Sequence, residues 1–245
     1  MRKSAFSQLL LCTVLSIALL QSCKDDSYLT AAPPIPDQSF VEEFDTLQTA
    51  YNKGWRFINK SDNVGTTNWT QGSIGGVLTA YSSKGTNAGF ISSDYQATAG
   101  AANTISNWAI SPSMMMQNGD KIVFYTVADL YSAGGGAFTD YANRLQVRVN
   151  TRNDGLNVGQ AEDPGDFTTV ILDINPNYLE QEVDPVFGPT PEAYPHVWTR
   201  FEATVSGLSK PMKARFAFRY FTEGAGTAGR GSEIGIDSVA YIGRK

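Results

Sequence analysis

From Phe40 onward the chain is broken into short apolar or alternating runs, each stopped by turn residues, and this spacing leaves few folds open to it. The clearest runs are residues 55–58, 121–127, 145–149, 168–172, 201–205, 214–221 and 234–242. Each has the length and composition of a strand. Gly119-Asp120, Asn153-Asp154-Gly155, Ser206-Gly207 and Lys210-Pro211 lie between them as turn signals. No long amphipathic helical pattern and no internal repeat interrupts the series. The spacing predicts an all-β fold, a sandwich of two antiparallel sheets. In 145–149 the apolar residues fall on odd numbers, while Gln146 and Arg148 fall on even ones. One face is therefore expected to pack and the other to meet water. The run 214–220 alternates in the same way and puts Arg215, Ala217 and Arg219 on one face.

The N-terminus is different in kind. Arg2 and Lys3 precede an apolar run over residues 9–20, and Leu20-Gln21-Ser22-Cys23 closes it. A core of this length falls short of the roughly 20 residues of a spanning helix. Residues 1–22 thus read as an export signal, with Cys23 as the first residue of the mature chain and the site of its lipid anchor. The segment resembles the lipobox of bacterial lipoproteins, with Gln21 a departure two places before the cysteine. Lys24-Asp25-Asp26 resembles the lysine-plus-two-acids signal of Bacteroidetes surface lipoproteins. That resemblance implies a lipid anchor in the outer membrane with the protein facing the cell exterior.

Removing Arg2 and Lys3 from 19 basic residues leaves 17 against 24 acidic ones, a formal charge of −7. This balance argues against nucleic acid or anionic headgroups as partners. Of the two cysteines, Cys12 leaves with the signal and Cys23 is acylated, so neither a disulfide nor cysteine–zinc chemistry remains. Residues 23–39, stiffened by Pro33, Pro34 and Pro36, read as an acidic address and extended tether. Residues 40–245 then make up one domain.

Within that domain, Phe40-Val41-Glu42-Glu43-Phe44-Asp45, Gly54-Trp55, Asn107-Trp108-Ala109-Ile110-Ser111-Pro112, Ala217-Phe218-Arg219-Tyr220 and Ile236-Asp237-Ser238-Val239 occur in a recognisable order. The order resembles that of the choice-of-anchor J, or cleaved adhesin, family. The resemblance implies a jelly-roll sandwich, non-catalytic and displayed outside the cell, that acts in adhesion or carbohydrate binding and often holds structural calcium. The aspartate-rich turn common after the first tryptophan is reduced here to Ser61-Asp62-Asn63. Calcium takes about six to eight oxygens, several of them carboxylates. Glu43 and Asp45 on one face of the first strand, with Asp237 on the last, are the expected set, because the first and last strands of a jelly roll often pair.

Catalytic patterns are thin. Jelly rolls also carry glycoside hydrolases, and Glu233 and Asp237 stand on one strand. Four positions along a strand span about 13 Å, whereas hydrolytic carboxylates stand about 5 to 9.5 Å apart. A hydrolase would therefore need a further carboxylate from another strand. Glu180 and Glu182 fall in the proline-rich stretch 175–195, which reads as an exposed loop. His196 is the only histidine, and no Gly-x-Ser-x-Gly or His-Glu-x-x-His pattern occurs. Residues 224–229 match a dinucleotide fingerprint but lead into a strand, not the helix that such a site requires.

Aromatic residues are the remaining lead, because rings stack on the apolar faces of sugars. Trp55, Trp108 and Trp198 lie in strand-like or family-like runs and are expected in the core. Trp69 lies in the polar stretch 66–72, and Tyr131 and Tyr141 flank Gly134-Gly135-Gly136. Trp69, Tyr131 and Tyr141 are the expected contact surface for an extracellular glycan or surface protein. Two alternatives stay open: a jelly-roll glycoside hydrolase, and an architectural subunit of a surface complex with a broad apolar patch.

Overall fold

The computed structural model describes residues 35–82, 87–134, 137–182 and 189–244. Cys23 and the lipobox lie outside the described residues. The chain divides into the units Met1–Pro36 and Asp37–Lys245, and the second carries every element that follows.

The strands in chain order are β1 (Phe40–Glu42), β2 (Arg56–Asn59), β3 (Thr70–Gln71), β4 (Ile91–Asp94), β5 (Asn103–Ile110), β6 (Met114–Met116) and β7 (Lys121–Ala128). After them come β8 (Tyr131–Gly134), β9 (Ala137–Thr139), β10 (Leu145–Asn150), β11 (Thr169–Ile174), β12 (Thr199–Thr204), β13 (Met212–Ala225) and β14 (Glu233–Ile242). One short helix, α1 (Leu47–Lys53), stands between β1 and β2. Thr46 caps its start, accepting the Thr49 N–H at 3.1 Å. Gly54, at φ +104°, ends it in the left-handed conformation that glycine tolerates best.

Two large antiparallel sheets form the sandwich. The first runs β12-β7-β14-β4-β3, with β1 also on β14. The second runs β11-β10-β13-β5-β2, with β6 also on β13. The long strands β13 and β14 serve two partners along one edge. On β14, Glu233 to Ile236 pair with β4, and Val239 to Tyr241 pair with β1. First and last strands therefore lie side by side, as expected of a jelly roll.

The principal core lies between the sheets. Phe124 from β7 and Phe216 and Phe218 from β13 meet there with Trp55, Phe44, Ile234 and Ile236. Phe44 and Trp55 meet edge to face at 5.0 Å, and Phe124 and Phe218 at 4.8 Å. Inward residues of β13 keep the even parity that alternation requires.

Alternation does not bring water to the other face of the second sheet. Gln146, Arg148, Ala217 and Arg219 are all buried. The connection over residues 151–168 folds back across this face and makes a second cluster, in which Val158 and Phe167 pack on Trp108, Ile110 and Ala217. Beneath it, Arg219 is 0% exposed. Its guanidinium lies between the rings of Trp108 (4.7 Å) and Phe221 (4.0 Å), donates to Ser106 Oγ at 3.0 Å and reaches the Ala161 carbonyl. Burial lowers its pKa to about 9. The expectation of a solvated Gln146/Arg148 face is thus corrected, since a long loop covers what periodicity left open.

Candidate functional site

The outer face of the first sheet is covered differently. On β14, Ile234 and Ile236 point into the core, so Glu233, Gly235 and Asp237 share the outer face. Residues 73–82 cross that face as a strap. Glu233 holds one end, accepting from Ile74 N–H at 2.6 Å and from Gly75 N–H and the Ser73 hydroxyl at 3.0 Å each. Asp237 holds the other end through the Ser82 N–H at 2.9 Å and also accepts from Ser238 N–H at 2.6 Å. Between them, the Trp198 indole N–H donates to the Thr79 carbonyl at 2.8 Å, and Tyr81 stacks on Tyr125 at 3.7 Å. The two carboxylates that stand too far apart for hydrolysis are the two fastenings of this strap.

Burial raises the Asp237 pKa to about 6, and the nearby Glu43 carboxylate adds to the rise, while the Ser82 and Ser238 N–H groups oppose it. Glu43 accepts from the Ser238 hydroxyl. Asp45 stands apart from this pair. Strand β1 ends at Glu42, and Phe44 at φ +52° turns the chain, so Glu43 and Asp45 do not share a strand face, and Asp45 is exposed. Among the described residues, no group of three or more His, Cys, Asp or Glu is placed to hold a metal ion. The calcium set Glu43, Asp45 and Asp237 is therefore not assembled, because the left-handed turn at Phe44 breaks the parity on which it rested.

At the Glu233 end of the strap, the fold opens into a cavity of about 680 Å³. Ile74, Gly75 and Val77 of the strap, Asp94 and Tyr95, the β7–β8 connection at Asp129 and Leu130, Tyr131, Tyr141 and Gly226, Thr227, Gly229 and Gly231 of the glycine turn line it. Tyr131 and Tyr141 bracket the β8–β9 hairpin. Their rings meet edge to face at 5.8 Å, with the side chains 53% and 37% exposed. A buried hydrogen-bonded group fixes the wall behind them. Asn143 joins Ser232 through its Nδ2 to the Ser232 Oγ at 2.9 Å, and its Oδ1 accepts the Tyr220 hydroxyl at 2.7 Å.

The glycine run that mimics a nucleotide fingerprint shapes one side of this cavity. Gly226, at φ +122°, lies so close to residue 100 that an added Cβ would stand 2.3 Å from the Gly100 carbonyl oxygen. The Thr227 N–H donates to that same carbonyl at 3.0 Å. Close approach between two backbone segments, not phosphate binding, is what requires glycine here.

Three carboxylates face the cavity. Asp94 and Glu233 are cross-strand partners on β4 and β14. Burial raises the pKa of Asp94, and the charge of Glu233 adds to the rise; the Thr67 hydroxyl at 2.6 Å and the Gln96 N–H at 3.1 Å oppose it. The pKa of Asp129 is also raised, first by burial and then by Glu233. The sequence does not single out Asp94 and Asp129, since three acids separated by whole strands carry no local signal.

The aromatic residues divide. Tyr131 and Tyr141 come together on the cavity rim. Trp69 does not join them. It is 3% exposed and belongs to the principal core. The polar residues around it serve the backbone: Asn68 Oδ1 accepts the Trp69 N–H at 2.8 Å, and the Gln71 side chain accepts from Leu47 N–H at 2.6 Å and donates to the Phe44 carbonyl at 2.7 Å. Their side chains are spent on the chain itself, and the indole turns inward. Trp55 and Trp108 are core residues, as expected, whereas Trp198 is half-buried on the outer face, edge-on to Phe90 at 5.6 Å.

No family model matches the chain, and no curated protein matches it. Among solved structures it resembles the K1 cleaved adhesin domain of Lys-gingipain from Porphyromonas gingivalis W83, with a TM-score of 0.50 and 17% identity over 85% of this chain and 99% of that one. The K3 cleaved adhesin domain of the same protein gives a TM-score of 0.50 at 14% identity, covering 85% of this chain and 100% of that one. At these identities the likeness is one of fold.

Proposed function

We propose that this protein is a non-catalytic, lipid-anchored module of the outer membrane, facing the cell exterior, that captures a glycan in the cavity rimmed by Tyr131 and Tyr141. The observation that carries the reading is the pairing of two exposed tyrosine rings on the edge of a walled cavity. Tyrosine offers an apolar face to a sugar ring and a hydroxyl to its edge, and cavities lined by aromatic groups with a few converging polar ones are the common form of a small-ligand site. The likeness in fold to cleaved adhesin domains is compatible with this reading and does not establish it. Anchoring through Cys23 and the acidic segment behind it supplies the location.

A hydrolytic reading draws on the same three carboxylates. Against it, Glu233 already receives three donors from the strap, so it serves as a fastening and is not poised to give a proton to a leaving group. The test is a polysaccharide and glycan-array binding screen of the wild-type protein beside Tyr131→Ala. Loss of most glycan binding with an unchanged melting temperature is expected, because truncating an exposed side chain costs about 0.5 kcal/mol or less in stability. Undiminished binding in the variant, or reducing sugar released from the bound glycan, would reject the reading.

A further inference from the structure

The cavity carries one sign of charge. Asp94, Asp129 and Glu233 line it, and among the described residues no lysine, arginine or histidine does, although His196 stands near enough to Asp129 to oppose the rise in its pKa. The three acids are not equally engaged. Glu233 is taken up by the strap. Asp94 is only 5% exposed, and both of its donors, Thr67 and Gln96, fall on Oδ1, so Oδ2 takes no hydrogen-bond donor among the described residues. Asp129 makes no ion pair among the described residues, and its carboxylate lies at the foot of the hairpin that carries Tyr131. Both carboxylates line the cavity, where a ligand can bring them a donor or a positive charge.

We propose that the cavity selects for positive charge: its ligand is an amino sugar with an unacylated amine, held between Asp94 and Asp129 while its ring lies against Tyr131 and Tyr141. This inference rests on the glycan-binding reading of the same cavity and gives it a substrate class. An ammonium group has three N–H donors and no acceptor, which matches a wall of acceptors. Bound there, it offsets the repulsion that the Glu233 charge exerts on Asp94 and on Asp129. N-acetylation removes that charge, and a uronic acid replaces it with one that the wall repels. The rings give the site its sugar affinity; the acids decide which sugar.

The experiment is calorimetric titration of the purified protein with a glucosamine oligomer, its N-acetylated counterpart and an oligogalacturonate of equal length. The expected result is that the amine oligomer binds about tenfold more tightly than the N-acetylated one, the scale of one partly screened charge pair. That advantage shrinks between roughly 50 mM and roughly 500 mM salt, as the Debye length contracts from above 10 Å to a few ångströms. The uronate does not bind. Asp129→Asn narrows the ratio between the amine and N-acetylated forms, with Tyr131→Ala as the control that weakens both alike. Equal affinity for the two forms, or a ratio that Asp129→Asn leaves untouched, overturns the charge selection while Tyr131-dependent binding keeps the glycan reading in place. No binding by any of the three overturns the charge selection, while array binding to another glycan that Tyr131→Ala abolishes keeps the glycan reading in place.

Discussion

The outer faces of the two sheets share the same strand alternation and are covered in opposite ways. Over the second sheet, residues 151–168 bring Val158 and Phe167 down on Trp108 and Ala217, and the face is closed by apolar packing with Arg219 sealed beneath. Over the first sheet, residues 73–82 join neither apolar cluster and are fastened by Glu233 and Asp237 instead, leaving Tyr81 43% exposed and a cavity at one end. The contrast teaches what each kind of cover is good for. A packed cover excludes solvent and adds a core. A hydrogen-bonded strap holds a segment in place while the rim beside it stays open to a ligand.

The largest effect comes from breaking the packed cover. Phe167→Ala should cost about 3–5 kcal/mol in urea unfolding, the range for deleting a buried aromatic ring; a loss below about 1 kcal/mol would mean that the loop merely rests on the sheet. Next comes the strap. The folded-state pKa of Asp237 is about 6 against an ordinary value of 3.8, so the folded protein holds this proton more tightly than the unfolded chain does. Stability from this group is therefore present at acidic pH and lost as pH rises from about 4 through 6. The full loss is at most about 3 kcal/mol by linkage. Asp237→Asn should flatten this slope in denaturation curves recorded across pH 4 to 8, at roughly that scale; an unchanged slope would place the titration elsewhere. The smallest effect is on β14 beneath the strap, at Gly235. A Cβ on Gly235 would stand 2.9 Å from Trp198 and 3.1 Å from Phe90. Gly235→Ala should therefore cost about 1–3 kcal/mol by overpacking, with a shift in tryptophan fluorescence as Trp198 moves. A neutral result would show that Trp198 and Phe90 yield easily under the strap, sharpening the difference from the packed cover.

The long strands are legible in the amino-acid pattern alone. The runs at 121–127, 145–149 and 234–242 correspond to Lys121–Ala128, Leu145–Asn150 and Glu233–Ile242, because an apolar or alternating run of about five residues or more, bounded by turn residues, is a strong local signal. Strands such as Thr70–Gln71 and Met114–Met116 are too short to show any period, and they pair only because a neighbouring strand presents an edge. Within the site, Tyr131 and Tyr141 are visible beside their glycines. Trp69 misleads because its polar neighbours look like solvent-facing loop residues until their backbone partners are known.

What the sequence determined by itself is therefore what short-range chemistry dictates: two sheets of alternating strands and an apolar face on each. The tertiary structure alone decided which outer face is sealed and which is strapped, and it gathered Asp94, Asp129 and Glu233 around one cavity. The physical reason is range. Side-chain parity repeats every two residues and is written into each strand, whereas the covering of a face and the meeting of charges from residues 94, 129 and 233 depend on contacts between segments that share no local pattern.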